Sequence, residues 1–163
     1  MSNDKKTAAV LRDAMTLEPR VGASYPAEFS DLCAEREKRA LGNAVGLSHY
    51  GVNLVHLPPG QATAHRHWHE KEEEFVYVLQ GELVLVTDAG EQTLTAGMCA
   101  GFPAGAPDGH CLINRSDETA VLLEVGDRAQ GEVVHYPDID LHGEGLPAGG
   151  FSFTRKDGRP YGD

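Results

Sequence analysis

Glycine and proline punctuation limits what this chain can fold into more than any other feature. The 19 Gly and 9 Pro residues are scattered, and they cut the middle of the chain into apolar runs of strand length. The runs are Ala44–Tyr50, Val52–Leu57, Phe75–Gln80, Glu82–Thr87, Gln92–Leu94, Met98–Phe102, His110–Asn114, Ala120–Val125 and Val133–Tyr136. Most are rich in Val, Leu, Phe or Tyr, and no helix-length periodic segment separates them. That rhythm predicts an all-β antiparallel sandwich or barrel and excludes repeated βαβ units. Asp88-Ala-Gly90 reads as the turn of a hairpin. Phe75-Val-Tyr-Val-Leu79 is apolar at both parities, so both faces of that strand are expected to be covered.

The ends differ from the middle. Asp31 to Ala40 is expected to form one short helix. Its charged run Glu35-Arg-Glu-Lys-Arg39 would be a solvated face, with Glu35 and Arg39 paired four residues apart. Gly149–Asp163 is a Gly-rich polar tail whose alternating Phe151 and Phe153 tuck against the body. A chain of 163 residues is one domain at roughly 100–200 residues per domain. The expected division is an N-terminal arm at 1–43, a barrel at 44–136 and a C-terminal tail at 137–163.

Charge narrows the function. Against 25 Asp+Glu stand 14 Lys+Arg, a formal net charge of −11, which repels phosphate backbones and anionic lipid. No nucleic-acid or membrane partner is expected. The opening Met1-Ser-Asn-Asp-Lys-Lys6 leads into no apolar stretch of the secretory kind. Cys33, Cys99 and Cys111 are odd in number and lack C-x-x-C spacing, so they read as small buried hydrophobes in a reducing cytoplasm. No Gly-x-Ser-x-Gly elbow and no phosphate-cradling Gly loop is present.

The chemistry concentrates in histidine. Three of the eight fall in His65-Arg-His67-Trp-His69, Glu74 follows, and His110 lies on a separate strand. In an extended segment side chains two apart share a face. His67 and His69 therefore stand side by side with His65 in line before them, and Glu74 can swing back beside them after the turn. Three neutral imidazoles and a carboxylate suit Fe(II), Mn(II), Ni(II) or Zn(II) and leave positions open for water or substrate. An isolated His-x-His is equally what a solvated loop carries, and the wider spacing decides between the two.

Gly60, then His67-Trp-His69, four residues, Glu74, six residues and Gly81 form one pattern. Gly97, five residues, Pro103-Ala-Gly105, four residues, His110, three residues and Asn114 form another. Together they resemble the two motifs of the cupin superfamily, in particular the small single-domain bacterial cupins that carry Glu-Glu-Phe-Val-Tyr-Val-Leu-x-Gly. Two loops are longer than usual, Gly60 to His67 by one residue and Gly105 to His110 by two, and added loop length costs little. The resemblance implies a double-stranded β-helix, or jelly-roll barrel, that often dimerises. It also implies one divalent ion held by His67, His69, Glu74 and His110, with His65 at the pocket mouth or solvated.

Around that set, Asn114 shares the parity of His110 and either lines the pocket or locks a turn. Asp108 is either a general base or a turn residue before Gly109. Asn53 interrupts an apolar strand and, if inward, needs a partner or substrate. Arg66 and Lys71 bracket the His pair and would draw in an anion, though surface exposure suits both. Trp68 alternates away from the ligands.

Within the family the likeness extends to proteins called sugar-phosphate or phosphomannose isomerase-like. It implies a small polar substrate, with the ion acting on carbonyl and hydroxyl, and since Glu74 is then a ligand, Asp108 or a metal-bound hydroxide is left as the base. No dedicated phosphate clamp is visible in the sequence. The alternatives are an Fe(II) or Mn(II) dioxygenase and a non-catalytic ligand-binding cupin, since a fold alone does not choose among activities.

Overall fold

In the computed structural model, residues 7–147 and 149–161 are described, so the opening Met1–Lys6 lies outside them. Thirteen strands follow one another: β1 (Arg20–Val21), β2 (Glu37–Ala40), β3 (Tyr50–Leu57), β4 (Trp68–His69), β5 (Glu74–Gln80), β6 (Glu82–Thr87), β7 (Gly90–Thr95), β8 (Cys99–Phe102), β9 (Cys111–Ile113), β10 (Ala120–Asp127), β11 (Val133–His135), β12 (His142–Gly145) and β13 (Phe151–Thr154). Every pairing between them is antiparallel. A six-stranded sheet runs β1-β2-β3-β10-β5-β8, a four-stranded sheet runs β13-β12-β11-β4, and a three-stranded sheet runs β7-β6-β9. Isolated bridges Ala62–Ile113 and His67–His110 tie the segment before β4 to β9 and its approach. The result is the jelly-roll barrel that the punctuation and the motifs imply.

Alternation builds the core. Val55, Leu57, Val76, Val78, Leu83, Leu85, Leu94, Leu112, Ala120 and Leu122 point inward from six strands and form one buried cluster. Each fully buried Leu or Val contributes roughly 1.5–3 kcal/mol relative to exposure. The inward rows then turn polar at one end. On β5 the row Val78, Val76 continues to Glu74, and on β10 the row Ala120, Leu122 continues to Glu124, which pairs with Val76 in register. The motif glycines Gly60, Gly81, Gly97 and Gly105 all hold positive φ. At Gly81 a side chain would also stand 3.1 Å from Ala120 Cα, so β5 can turn into β6 only through glycine.

Three local expectations are corrected. Asp31–Ala40 is not a helix: a 3-10 turn at Asp31–Cys33 leads into β2, which pairs with β3. Nor is its charged run a solvated face. Arg36 and Arg39 are buried, and Lys38, opposite the core residue Val55 in register, faces inward. Pairing with β3 overrides the weak helical preference of the run. Ala44–Tyr50 is likewise no strand, since a four-residue helix, α1 (Leu41–Ala44), and a turn precede β3.

The arm and the tail are integral parts of the sheets. β1 and β2 extend the six-stranded sheet, while β12 and β13 extend the four-stranded one. Phe151 and Phe153 pack as expected, joining Tyr25, Phe29, Ile139 and Tyr161 around Val134, Tyr136 and Leu141. Cys33 and Cys111 are buried but Cys99 is exposed, and all three are free. Within the chain no sheet or arm covers the outward side of β5, where Phe75, Tyr77 and Leu79 are 41%, 36% and 44% exposed, which leaves a partner subunit as the expected cover. Among the described residues no helix is long and apolar enough to cross a membrane.

Candidate metal centre

His67 and His110 face each other across an antiparallel bridge and exchange both backbone bonds, His67 N–H to His110 O at 3.1 Å and His110 N–H to His67 O at 2.8 Å. Directly opposed residues send their side chains to one face, and the two ring centroids are 4.8 Å apart. Two positions on, His69 in β4 adds its ring 5.0 Å from that of His67. Glu74 opens β5 and points at all three. Its Oε2 lies 2.9 Å from His110 Nε2, 3.3 Å from His67 Nε2 and 3.4 Å from His69 Nε2.

Each ring is held in the orientation that presents Nε2. His67 donates Nδ1–H to the His65 carbonyl at 2.8 Å. His69 Nδ1 stands 3.4 Å from Oε1 of Glu132, a carboxylate only 1% exposed. The ring of His110 stacks flat on Phe102, centroids 3.6 Å apart and 1° between planes. The electrostatics follow from crowding. Desolvation works against the Glu74 carboxylate, yet the imidazoles of His110, His67 and His69 together hold its pKa well below the ordinary value. Desolvation also lowers His110, with Glu74 opposing. For His69 desolvation is outweighed by Glu74, Glu132 and Glu72, and its pKa is raised.

This donor set fits a divalent cation. Metal–ligand bonds of about 2.0–2.2 Å put neighbouring donor atoms roughly 3 to 3.5 Å apart, which is the spread measured from Glu74 Oε2. His67, His69 and Glu74 offer ligand atoms all within 4.8 Å of one another, and both His69 nitrogens are buried without a hydrogen-bond partner. Glu132 beside Nδ1 supplies the outer carboxylate that ligating imidazoles use to fix ring and tautomer.

The four residues open onto a cavity of about 170 Å³ whose walls include Tyr25, Thr63, Phe102, Glu124, Tyr136 and three basic side chains, Arg20, Arg36 and Lys38. Glu124 is ion-paired to Lys38 at 2.6 Å. Burial raises the pKa of Tyr25 to about 12 and, with Tyr25 adding to it, raises that of Tyr136 still further. Both phenols are therefore neutral hydrogen-bond donors. None of these wall residues was singled out by sequence reasoning. The available signal was the inward parity of Glu124, two after Leu122.

The other expected site residues are placed elsewhere. Asn114 is fully buried and spends its amide on a turn, donating to Leu57 O and Glu118 O and accepting from Ser116. Its amide is thus committed to the turn, and it lies outside the cavity lining. Arg66 binds Asp138 through two bonds of 2.7 Å and also pairs with Asp88, outside the cavity lining. Asn53 has the inward parity of Val55 and pairs in register with Glu124, with its amide beside Gly51 and outside the lining. Asp108 borders a separate cleft of about 90 Å³ that shares His69, Phe102 and His110 with the cavity. Its carboxylate accepts the Asp88 N–H at 2.8 Å, which ties it to the hairpin loop after β6. His65 turns into the arm, its Nε2 2.7 Å from Phe29 O. Trp68 points away from the ligands and stacks on His135 at 4.2 Å.

Comparison with known proteins agrees with this fold. Residues 53–126 match the model of the cupin domain family. The structure of a sugar phosphate isomerase of the cupin superfamily from Silicibacter pomeroyi DSS-3 superposes with TM-score 0.87 at 45% identity, covering 92% of this chain and 95% of that one. A putative sugar phosphate isomerase from Acidithiobacillus ferrooxidans superposes with TM-score 0.69 at 32% identity, covering 80% and 82%. The polyketide cyclase RemF from Streptomyces resistomycificus, 20% identical with TM-score 0.60 over 73% and 79%, shares the fold alone. No curated protein matches the chain. The chain belongs to the cupin superfamily.

Proposed function

We propose that this chain is a metal-dependent enzyme that isomerises a small sugar phosphate, moving a proton between adjacent carbons. The observation that carries the reading is the convergence of three imidazole Nε2 atoms on one oxygen of Glu74 inside a walled cavity. His67, His69, Glu74 and His110 would hold one divalent ion, Zn, Mn, Fe or Ni. Bound there, it supplies Lewis acidity to a carbonyl and its neighbouring hydroxyl.

The chain's own residues supply the rest. Glu124, on the cavity wall and anchored by Lys38, takes the proton from one carbon and returns it to the next while the hydroxyl proton passes to the former carbonyl oxygen, so Glu124 replaces Asp108 as the base. Tyr25 and Tyr136, held neutral by burial, donate hydrogen bonds to substrate oxygens. Phe102, Phe151 and Phe153 give the cavity an apolar wall that limits water. The names of the relatives 45% and 32% identical support the substrate class.

Metal analysis coupled to a screen of sugar phosphates tests the proposal. Stoichiometric divalent metal with aldose–ketose turnover is expected. Bound iron with oxygen uptake would replace it by a dioxygenase, and ligand affinity unchanged in His67→Ala and His110→Ala, with no turnover, by a binding module.

Two further features belong to this reading. A homodimer is supported by the open apolar row Phe75, Tyr77, Leu79 on β5, and light scattering that returns a monomer mass overturns it. A cytoplasmic setting is supported by three free cysteines.

A further inference from the structure

The lining of the metal cavity carries more positive than negative side chains, Arg20, Arg36 and Lys38 against Glu74 and Glu124. Arg36 is 4% exposed. Its guanidinium is held by two backbone carbonyls, Thr63 O and Gly22 O, and its Nε–H is buried with no partner. Arg20 stands beside it at the mouth of the same cavity, where burial and then the charge of Arg36 lower its pKa. Lys38 is neutralised by Glu124. Among the described residues neither Arg20 nor Arg36 has a carboxylate within ion-pair reach. This happens in a chain of net charge −11, where surplus carboxylates are the easiest partners to supply. A buried guanidinium without a counter-ion is costly, and a cavity that keeps one in Arg36, with the exposed Arg20 beside it, is arranged for an anion from solution.

We propose that Arg20 and Arg36 form a phosphoryl-binding subsite on the arm side of the metal cavity. The charge balance selects the ligand: two unpaired guanidiniums match a phosphate monoester, which carries about −1.5 to −2 at neutral pH, better than a single carboxylate. Geometry favours it too, because the exposed Arg20 has a planar fork of N–H groups suited to oxyanions, while the terminal nitrogens of Arg36, each holding one carbonyl, keep one further N–H apiece. Arg20 sits on β1 and Arg36 directly precedes β2, outside residues 53–126 that match the family model. The barrel thus supplies the ion site and the N-terminal arm supplies substrate selection. The inference rests on the isomerase reading only for the identity of the rest of the substrate.

Titration calorimetry of the metal-loaded protein with inorganic phosphate, and with acetate in parallel, tests it. Arg20→Gln is the primary variant because Arg20 is exposed and its loss spares the buried network. Arg36→Lys is the second, retaining charge while losing the fork. Expected are phosphate binding at least about tenfold tighter than acetate and a loss of about tenfold or more in Arg20→Gln and Arg36→Lys. Metal content and melting temperature of Arg20→Gln stay at the wild-type level. With a phosphorylated substrate, Arg20→Gln raises KM by a similar factor and changes kcat little. Phosphate affinity unchanged in Arg20→Gln, or acetate binding as tight as phosphate, overturns the subsite. Phosphate binding that depends on Arg20 without turnover of any sugar phosphate removes the isomerase and keeps the subsite. Equal turnover of a neutral sugar, unaffected by Arg20→Gln, does the reverse.

Discussion

Glu132 places Oε1 3.4 Å from Nδ1 of His69 while its two carboxylate oxygens accept the backbone N–H groups of Glu70 and Lys71 at 2.9 and 3.0 Å. One buried acid thus orients an imidazole and closes the turn between β4 and β5. Replacing Glu132 by Gln keeps the shape and removes the negative charge behind the ring. Metal affinity is expected to fall about 10- to 100-fold, read by competition with a chromophoric chelator, while the circular dichroism of the variant stays that of the wild type.

Glu124 is the only carboxylate lining the metal cavity besides Glu74 among the described residues. Glu124→Gln preserves size and hydrogen bonding to Lys38. If Glu124 transfers the proton, kcat with a sugar phosphate drops by about 10²- to 10⁴-fold, with KM nearly unchanged and metal content intact. A kcat within about twofold of wild type would assign proton transfer elsewhere.

Metal retention should depend steeply on pH, because ligating imidazoles must be neutral. His69 has a raised pKa: desolvation lowers it, and Glu74, Glu132 and Glu72 outweigh that. His110 has a lowered one. On acidification His69 therefore takes up a proton first, above the ordinary imidazole value of about 6.5, and His110 last, below it. Metal affinity should begin to fall on the alkaline side of that value. Glu132→Gln, which removes one of the charges favouring protonated His69, should shift the onset to lower pH. A titration of bound metal against pH in both proteins reads the shift directly.

Asn114 separates structure from function. Its side chain joins Leu57, Ser116 and Glu118 in one turn, so Asn114→Ala leaves buried carbonyls without donors. A stability loss of about 1–3 kcal/mol is expected, measured by urea denaturation. Below the new midpoint, metal affinity and KM should match those of the wild type. An unchanged stability with a raised KM would return Asn114 to the pocket.

What the sequence determined by itself was whatever depends on short-range geometry. Strand periodicity puts His67 and His69 on one face, the glycines at 60, 81, 97 and 105 mark turns that need positive φ, and motif spacing brings Glu74 and His110 to the same place. Tertiary structure alone decided the cavity wall. Arg20, Arg36, Lys38 and Glu124 come from β1, β2 and β10 and their flanks, and they meet only because the arm pairs with β3 and β3 with β10. Charged residues at 35–39 have no local preference strong enough to declare a strand, so their direction is set by the edge they pair with. In the same way Arg66, Asp108 and Asn114 lie close to the histidines in sequence, yet each is claimed by a nearer partner: Asp138, the Asp88 amide, and the turn at 114–118. Proximity along a chain says where a side chain starts, and hydrogen bonding across the fold says where it is spent.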